Sequence, residues 1–204
     1  MTVSEPTVFI VDDDDAVRRF LSGLIESVEL RVEAFASARD FLEAYEPGQP
    51  GCLVLDVRMP GMSGLELQRE LADQAIDLPV IILTGHGNIR LAVHAMKAGA
   101  IDFVEKPFDN ELLLDRIQKA VAENVRAASE RIKRIEIAER LQLLTPRERG
   151  VLDLVVDGQT NKGVARHLDI SEKTVEIHRA NVMQKMQAKS LADLVKMATD
   201  RHST

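Results

Sequence analysis

Short apolar runs recur through the first half of the chain, and each is followed at once by a polar or charged residue. VFIV runs into Asp12 and Asp13, CLVL into Asp56, VIIL into Thr84 and DFVE into Lys106. Runs of this length, rich in Val, Ile and Leu, read as strands buried on both faces, the mark of a parallel sheet covered by helices. Strands are predicted near 7–11, 31–35, 52–56, 79–83 and 101–104, and helices near 15–27, 37–45, 64–73, 88–98 and from 110. That alternation predicts a doubly wound five-stranded parallel α/β fold with right-handed crossovers. Open sheets of this kind hold ligands outside the carboxyl ends of their strands. Asp12, Asp13, Asp56, Thr84 and Lys106 all stand at such ends. A single carboxylate after a strand is often only the N-cap of the next helix, but five convergent polar residues describe a site. The acidic pair suits a hard divalent ion such as Mg²⁺, while Lys106 and Thr84 offer donors to a phosphoryl group arriving on Asp56. Gly61 and Gly64 flank the loop after Asp56 and suit a tight turn around such a group.

The wider runs are VDD at 11–13, LDVRMPGMSG at 55–64, LTGHG at 83–87 and KPF at 106–108. With these, residues 1–122 resemble the receiver domain of two-component response regulators, a flavodoxin-like fold with strand order 2-1-3-4-5. The resemblance implies Asp56 as phosphoacceptor, a sensor histidine kinase as donor and Mg²⁺ as cofactor. It implies Asp13 as a direct metal ligand, Asp12 as a largely water-mediated one and the backbone carbonyl of Arg58 as a third. Lys106 is implied to pair with the phosphoryl oxygens. Thr84 is implied to move toward them and Phe103 to turn inward with it, and the bond between Lys106 and Pro107 is commonly cis in the family. Signalling would then reach a dimer face made of helix 88–98, strand 101–104 and helix 110–121. The receiver itself would assist phosphoryl transfer and slow hydrolysis, without the chain being an enzyme in the ordinary sense. Arg58 and His86, each two residues beyond Asp56 or Thr84, either tune the phosphoryl lifetime or are merely solvated.

At 204 residues the chain exceeds one compact unit. The absence of Trp and a single Tyr make its cores aliphatic and disfavour stacking on bases. Cys52 lies inside a predicted strand as a small apolar residue, and a lone cysteine forms no internal disulfide. No apolar stretch approaches the roughly 18 residues of a membrane helix, and no basic-then-apolar leader opens the chain, so a cytoplasmic protein without membrane contact is expected. The net charge of −7 conceals a division. Residues 1–122 carry 11 Lys and Arg against 21 Asp and Glu, whereas 123–204 carry 15 against 12. A net −10 is thus followed by +3. The basic part suits nucleic acid, or simply a solvated surface.

Between Pro107 and Pro146 there is no Gly or Pro, and Leu114, Val121, Ala128 and Ile135 recur every seven residues with Val125 and Ile132 between them. A helical linker is predicted over 123–141. Its short heptad seam, weakened by Gln118 and Glu139, suits either a coiled-coil dimer or a helix packed on its own chain. Residues 142–204 then form a small all-α unit of four helices. Thr145 and Glu148 make a capping box with proline at the first helical position, Gly158 ends that helix, a second spans about 161–168, Ser171 caps a third, and Ser190 opens a fourth. Helices of this size make a helix-turn-helix, whose later helix enters the major groove. The run from LTPRERG to MQKM resembles the LuxR-type DNA-binding domain, and with the receiver and its GHG and MKAGA runs the whole resembles the FixJ branch of the NarL/LuxR family. That resemblance implies a phosphorylation-controlled transcriptional regulator that binds promoter double-stranded DNA as a dimer, with RNA polymerase a further candidate partner.

On the third of these helices, Val175, Val182 and Met186 should face the core. Lys173, Glu176, Ile177 and Ala180 then face outward, where Glu176 suits cytosine N4 and Ile177 with Ala180 a thymine methyl. Thr174, Arg179, Lys185 and Lys189 are candidates for phosphate contacts. His178 borders the core face, as a hydrogen-bonded structural histidine or a phosphate contact. Two other readings stay open. A haloacid-dehalogenase-like phosphohydrolase also uses a strand-end Asp, but needs a second Asp where Arg58 stands. A phosphate-independent DNA-binding protein would use its receiver-like part only to dimerise.

Overall fold

In the computed structural model, residues 5–85 and 89–199 are described. The chain divides into two compact units, 1–129 and 130–204. The first alternates β1 (Thr7–Val11), α1 (Asp15–Glu26), β2 (Arg31–Phe35), α2 (Ala38–Ala44), β3 (Gly51–Asp56), α3 (Gly64–Asp73), β4 (Val80–Thr84), α4 (Ile89–Lys97) and β5 (Asp102–Glu105), and ends in the first part of α5 (Asn110–Gln142). The strands form one parallel sheet in the order β2-β1-β3-β4-β5. Both the topology and the strand positions agree with the sequence reading, apart from shifts of one residue at β3, β4 and β5.

The central strands are buried throughout, and alternate residues feed two different cores. Phe9, Val11, Leu53, Leu55 and Ile82 face one side with Phe41, Leu67 and Leu71 from α2 and α3. Val8, Ile10, Cys52, Val54, Ile81 and Leu83 face the other with Leu21 and Ile25 of α1 and Leu113 and Ile117 of α5. The helices start where side chains satisfy their first amides. Asp14 accepts from the Ala16 and Val17 amides at the start of α1, and Ser63 and Glu66 close a capping box on α3.

Two glycines shape the loop after β3. Gly61 has a φ of +79°, a left-handed conformation that side chains with a Cβ rarely adopt. Gly64 lets the first turn of α3 pass close by β3, since a Cβ there would stand 2.1 Å from the Asp56 carbonyl oxygen.

The second unit contains the last turns of α5 with α6 (Pro146–Val156), α7 (Asn161–Leu168), α8 (Glu172–Met186) and α9 (Leu191–Thr199). Its core joins Val151, Leu152, Val164, Val175, Val182, Met186 and Leu194. Thr145, Thr160 and Ser171 cap α6, α7 and α8 in turn, the first through a capping box with Glu148.

The division between the two units, at 129 and 130, falls inside the linker predicted over 123–141. Residues 123–129 belong with the first unit, where Val125 packs on the core and Asn124 joins the start of β3 to the loop before β4. Asn124 accepts from the Gly51 amide at 2.9 Å and donates to the Asp77 carbonyl at 2.9 Å. Residues 130–141 belong with the second unit because Ile137 and Leu141 pack into its core. The heptad positions Leu114, Val121 and Val125 are spent on the first unit's own core, whereas Ile135 is exposed. Among the described residues no helix is long and apolar enough to cross a membrane.

Candidate phosphoacceptor and nucleic-acid sites

Strand register gathers the first site. Val11 lies opposite Leu55, Asp56 opposite Leu83, and Thr84 opposite Glu105. The residues that end or follow these strands therefore meet at one edge of the sheet. Lys106 Nζ donates to Asp12 Oδ2 at 2.6 Å and to Asp56 Oδ1 at 2.8 Å. The second oxygen of Asp56 accepts from the Arg58 amide at 2.6 Å, and that of Asp12 from the Asp14 amide at 2.9 Å. Asp12 is 2% exposed and Thr84 1%. Asp13 and the Arg58 side chain are exposed, and the Lys106–Pro107 peptide is cis. Thr84 also accepts the Lys106 amide through its carbonyl at 2.8 Å. Phe103 is half-buried against the core beneath α3 and α4. His86 lies outside the described residues.

Burial works against the Lys106 ammonium, but its hydrogen bonds to Asp12 and Asp56 prevail and hold its pKa above the ordinary lysine value. One cation thus faces two carboxylates, a cluster with surplus negative charge. Among the described residues no group of three Asp, Glu, His or Cys side chains is placed to hold a metal ion by itself. Asp12 and Asp56 meet at Lys106, and the exposed Asp13 follows Asp12 in the chain. The Asp12 and Asp56 carboxylates are hard oxygen donors of the kind Mg²⁺ takes, an ion that needs few protein ligands because it keeps several of its waters.

One residue of this site was not legible beforehand. Arg18, a turn into α1, donates to the Asp12 carbonyl at 2.7 Å and pairs with Asp15 at 3.1 Å, fastening the acidic loop from below. Its spacing from Asp12 carries no recognisable pattern.

The same unit exposes an apolar face. Ile89, Val93 and Met96 recur at helical spacing on α4, with Ile89 84% exposed, and Ile101 and Leu112 are exposed as well. Arg116 of α5 is paired with Asp102 of β5 at 2.8 Å.

In the second unit, α8 buries Val175, Val182 and Met186, and Lys173, Glu176, Ile177 and Ala180 are exposed, as is Lys189 beyond its end. The phosphate candidates otherwise divide. Thr174 exchanges a hydrogen bond with Ser171 at 2.8 Å, and Arg179 donates to Asn161 of α7 at 3.0 Å. Lys185 is drawn inward, bonded at 2.7 Å to Glu148, itself only 3% exposed. It thereby braces α8 against α6. Glu148 also accepts from the Thr145 amide and hydroxyl at 2.9 and 3.0 Å. Lys185 and then Thr145 hold its pKa down to about 2. His178 is half-buried, and its Nδ1 has no partner among the described residues, so a hydrogen bond there does not explain its position.

A doubly wound sheet with an acidic pocket and a lysine at its carboxyl edge, followed by a helix-turn-helix unit, defines a phosphorylation-dependent regulator of transcription. Residues 8–118 match the response regulator receiver domain, and residues 135–198 match the bacterial regulatory proteins of the luxR family. The chain belongs to the response regulators that join these two domains. It is 48% identical to the transcriptional regulatory protein FixJ of Azorhizobium caulinodans, over 94% of this chain and 90% of that one. Against FixJ of Rhizobium meliloti it is 47% identical over 96% of each. Among solved structures it is similar to the response regulator StyR, with a TM-score of 0.86, 45% identity and coverage of 96% and 99%. Full-length FixJ from B. japonicum matches with a TM-score of 0.58, 41% identity and complete coverage of both chains.

Proposed function

We propose that Asp56 is the phosphoacceptor, that it takes its phosphoryl group from a histidine kinase, and that the modification drives dimerisation through the α4–β5–α5 face and promoter binding through α8. The observation that carries this reading is the shared lysine, with Asp12 and Asp56 both within 2.8 Å of Lys106 Nζ. An oxygen of Asp56 forms the new phosphorus–oxygen bond while the bond to the donor's imidazole nitrogen breaks and that nitrogen keeps the electron pair. Lys106 then turns from the Asp56 carboxylate to the phosphoryl oxygens. Asp12, Asp13, Asp56 and the Arg58 carbonyl would hold Mg²⁺, which offsets the added charge of about −1.5 to −2. Thr84 supplies a hydroxyl to the phosphoryl group and Phe103 follows it inward. The receiver's own side chains thereby assist transfer and later hydrolysis, with Arg58 and His86 tuning the lifetime.

Exposed Ile89, Val93, Met96, Ile101 and Leu112 offer an apolar surface to a second copy. Pairing two recognition helices adds avidity on paired half-sites. Lys173 and Lys189 position each unit on phosphates, with Thr174 and Arg179 at its border, and Glu176, Ile177 and Ala180 read base edges. RNA polymerase is a further partner in this reading, and the cytoplasm its place of action.

Incubation with acetyl phosphate and Mg²⁺, read by intact mass and by oligomer mass, tests the proposal. The native chain is expected to gain one phosphoryl adduct and to dimerise, and Asp56→Asn to do neither. An adduct on the variant would move the acceptor elsewhere. Dimerisation without an adduct would favour the phosphate-independent reading.

A further inference from the structure

Gln68 sits within α3 and is 3% exposed. Its Nε2 donates to the Ala95 carbonyl of α4 at 3.0 Å, a carbonyl that also accepts from the Ala98 and Ala100 amides where α4 ends. The side chain therefore adds a third donor, from another helix, to a carbonyl in the last turn of α4. Its Oε1 is buried as well and accepts nothing from the described residues. An apolar residue of equal size would fill this space without burying an unpaired acceptor. What the glutamine adds is the bond to α4. The next residue repeats the arrangement, because Arg69 Nη2 meets His94 Nε2 at 2.6 Å. Two successive side chains of α3 thus grip two successive residues of α4.

The other end of α3 touches the acceptor loop. The Gly64 amide donates to the Val57 carbonyl at 3.1 Å, and Gly64 packs so closely on the Asp56 carbonyl that no Cβ fits. A continuous line of contacts runs from Asp56 through Gly64 and the body of α3 to Ala95. Beyond Ala95 lie Val93 and Met96 of the exposed face.

We propose that Gln68 is a positioning residue that couples the Asp56 loop to the α4 face by way of α3, separately from Thr84 and Phe103. The inference rests on the reading that phosphorylation of Asp56 drives dimerisation through α4. A helix held at its last turn moves with α3, whereas a released one finds its own position and transmits less.

The test compares the native full chain with Gln68→Met, which keeps the length and burial of the side chain but has no amide. Gln68→Glu is a second variant that sets an acceptor against the Ala95 carbonyl. Adduct formation on Asp56 from acetyl phosphate and Mg²⁺ should match the native rate in both. Without phosphodonor, amide exchange at Ala98 and Ala100 should quicken by about tenfold as local opening becomes easier. The gain in dimer affinity on adding phosphodonor should fall by about threefold to tenfold, the range for residues that modulate coupling. Unchanged exchange in both variants overturns the fastening, whatever the dimer assay shows. Faster exchange with an undiminished gain overturns the coupling. A native chain that takes up phosphate but gains no dimer affinity overturns the dimerisation reading, and the coupling with it, while the exchange rates still decide the fastening.

Discussion

Each unit contains a lysine bonded to a buried carboxylate, and the two arrangements behave as opposites. In the second unit Glu148 spends its lone pairs on the Thr145 amide, the Thr145 hydroxyl and Lys185, so one negative charge meets one positive charge and the cluster is closed. In the first, Lys106 divides itself between Asp12 and Asp56, and exposed Asp13 adds a further charge nearby. Three carboxylates then stand against one lysine, which leaves two negative charges uncompensated. A closed ion pair braces two helices and has nothing left to offer a ligand. An open one binds whatever supplies the missing positive charge, and rearranges when a phosphoryl group arrives. Distances alone do not separate the two cases, since 2.7 Å in one falls between 2.6 and 2.8 Å in the other. The count of charges does.

Lys106→Met should break the comparison most sharply. It leaves Asp12 and Asp56 facing each other without a cation, so adduct formation from acetyl phosphate should slow by at least about tenfold as the phosphoryl oxygens lose their donor. Mg²⁺ should raise the thermal midpoint of this variant more than that of the native chain, because the ion takes over the lysine's charge. Equal shifts would mean that the carboxylates do not share a metal. Glu148→Ala addresses the closed cluster. Losing the cap and the ion pair together should cost the second unit about 2–3 kcal/mol, read as faster amide exchange in α6 and α8, with labelling of Asp56 unchanged.

Glu148 and Lys106, one from each cluster, should lose their contributions at opposite ends of the pH scale. The Glu148 carboxyl is held below its ordinary value, so its contribution is complete above about pH 4.5 and disappears as pH falls toward about 2. Over that interval the second unit should lose about 1–3 kcal/mol, and Glu148→Gln should flatten this part of an acid titration followed by circular dichroism. Lys106 is raised, so its contribution is complete below the ordinary lysine value and is lost only as alkaline pH passes its higher one. A native-like acid response in Glu148→Gln would place the acid-sensitive group elsewhere. The smallest effects belong to the exposed lysines. Lys173→Ala and Lys189→Ala should each weaken DNA binding uniformly across sequences and reduce the salt slope by about 1, whereas a Lys185 substitution should act through stability of the fold.

Much of this was legible in the chain beforehand because it depends on local pattern. The apolar runs place β1, β3, β4 and β5 within a residue, and the residues that end or follow those strands include Asp12, Asp56 and Lys106, which meet in the structure. Thr145 with Glu148 announces its helix start through hydrogen bonds that span three residues, and Ser63 with Glu66 shows the same arrangement in the structure. The core face of α8 followed from spacings of four and seven.

Partner choice by long side chains was not legible. Lys185 looked like a free cation until the fold brought Glu148, 37 positions earlier, within reach. Asn124 falls in the predicted linker, yet it binds Gly51 and Asp77, and nothing in the local pattern around Gln68 points to its bond with Ala95. Sequence by itself determined the alternation of strands and helices, their caps and the identity of the charged residues at the sheet edge. The tertiary structure decided which of those charges are neutralised and which are left over. The reason is physical: periodicity and capping act within a few residues along the chain, whereas charge balance is settled across space, by whichever groups packing happens to place within about 3 Å of one another.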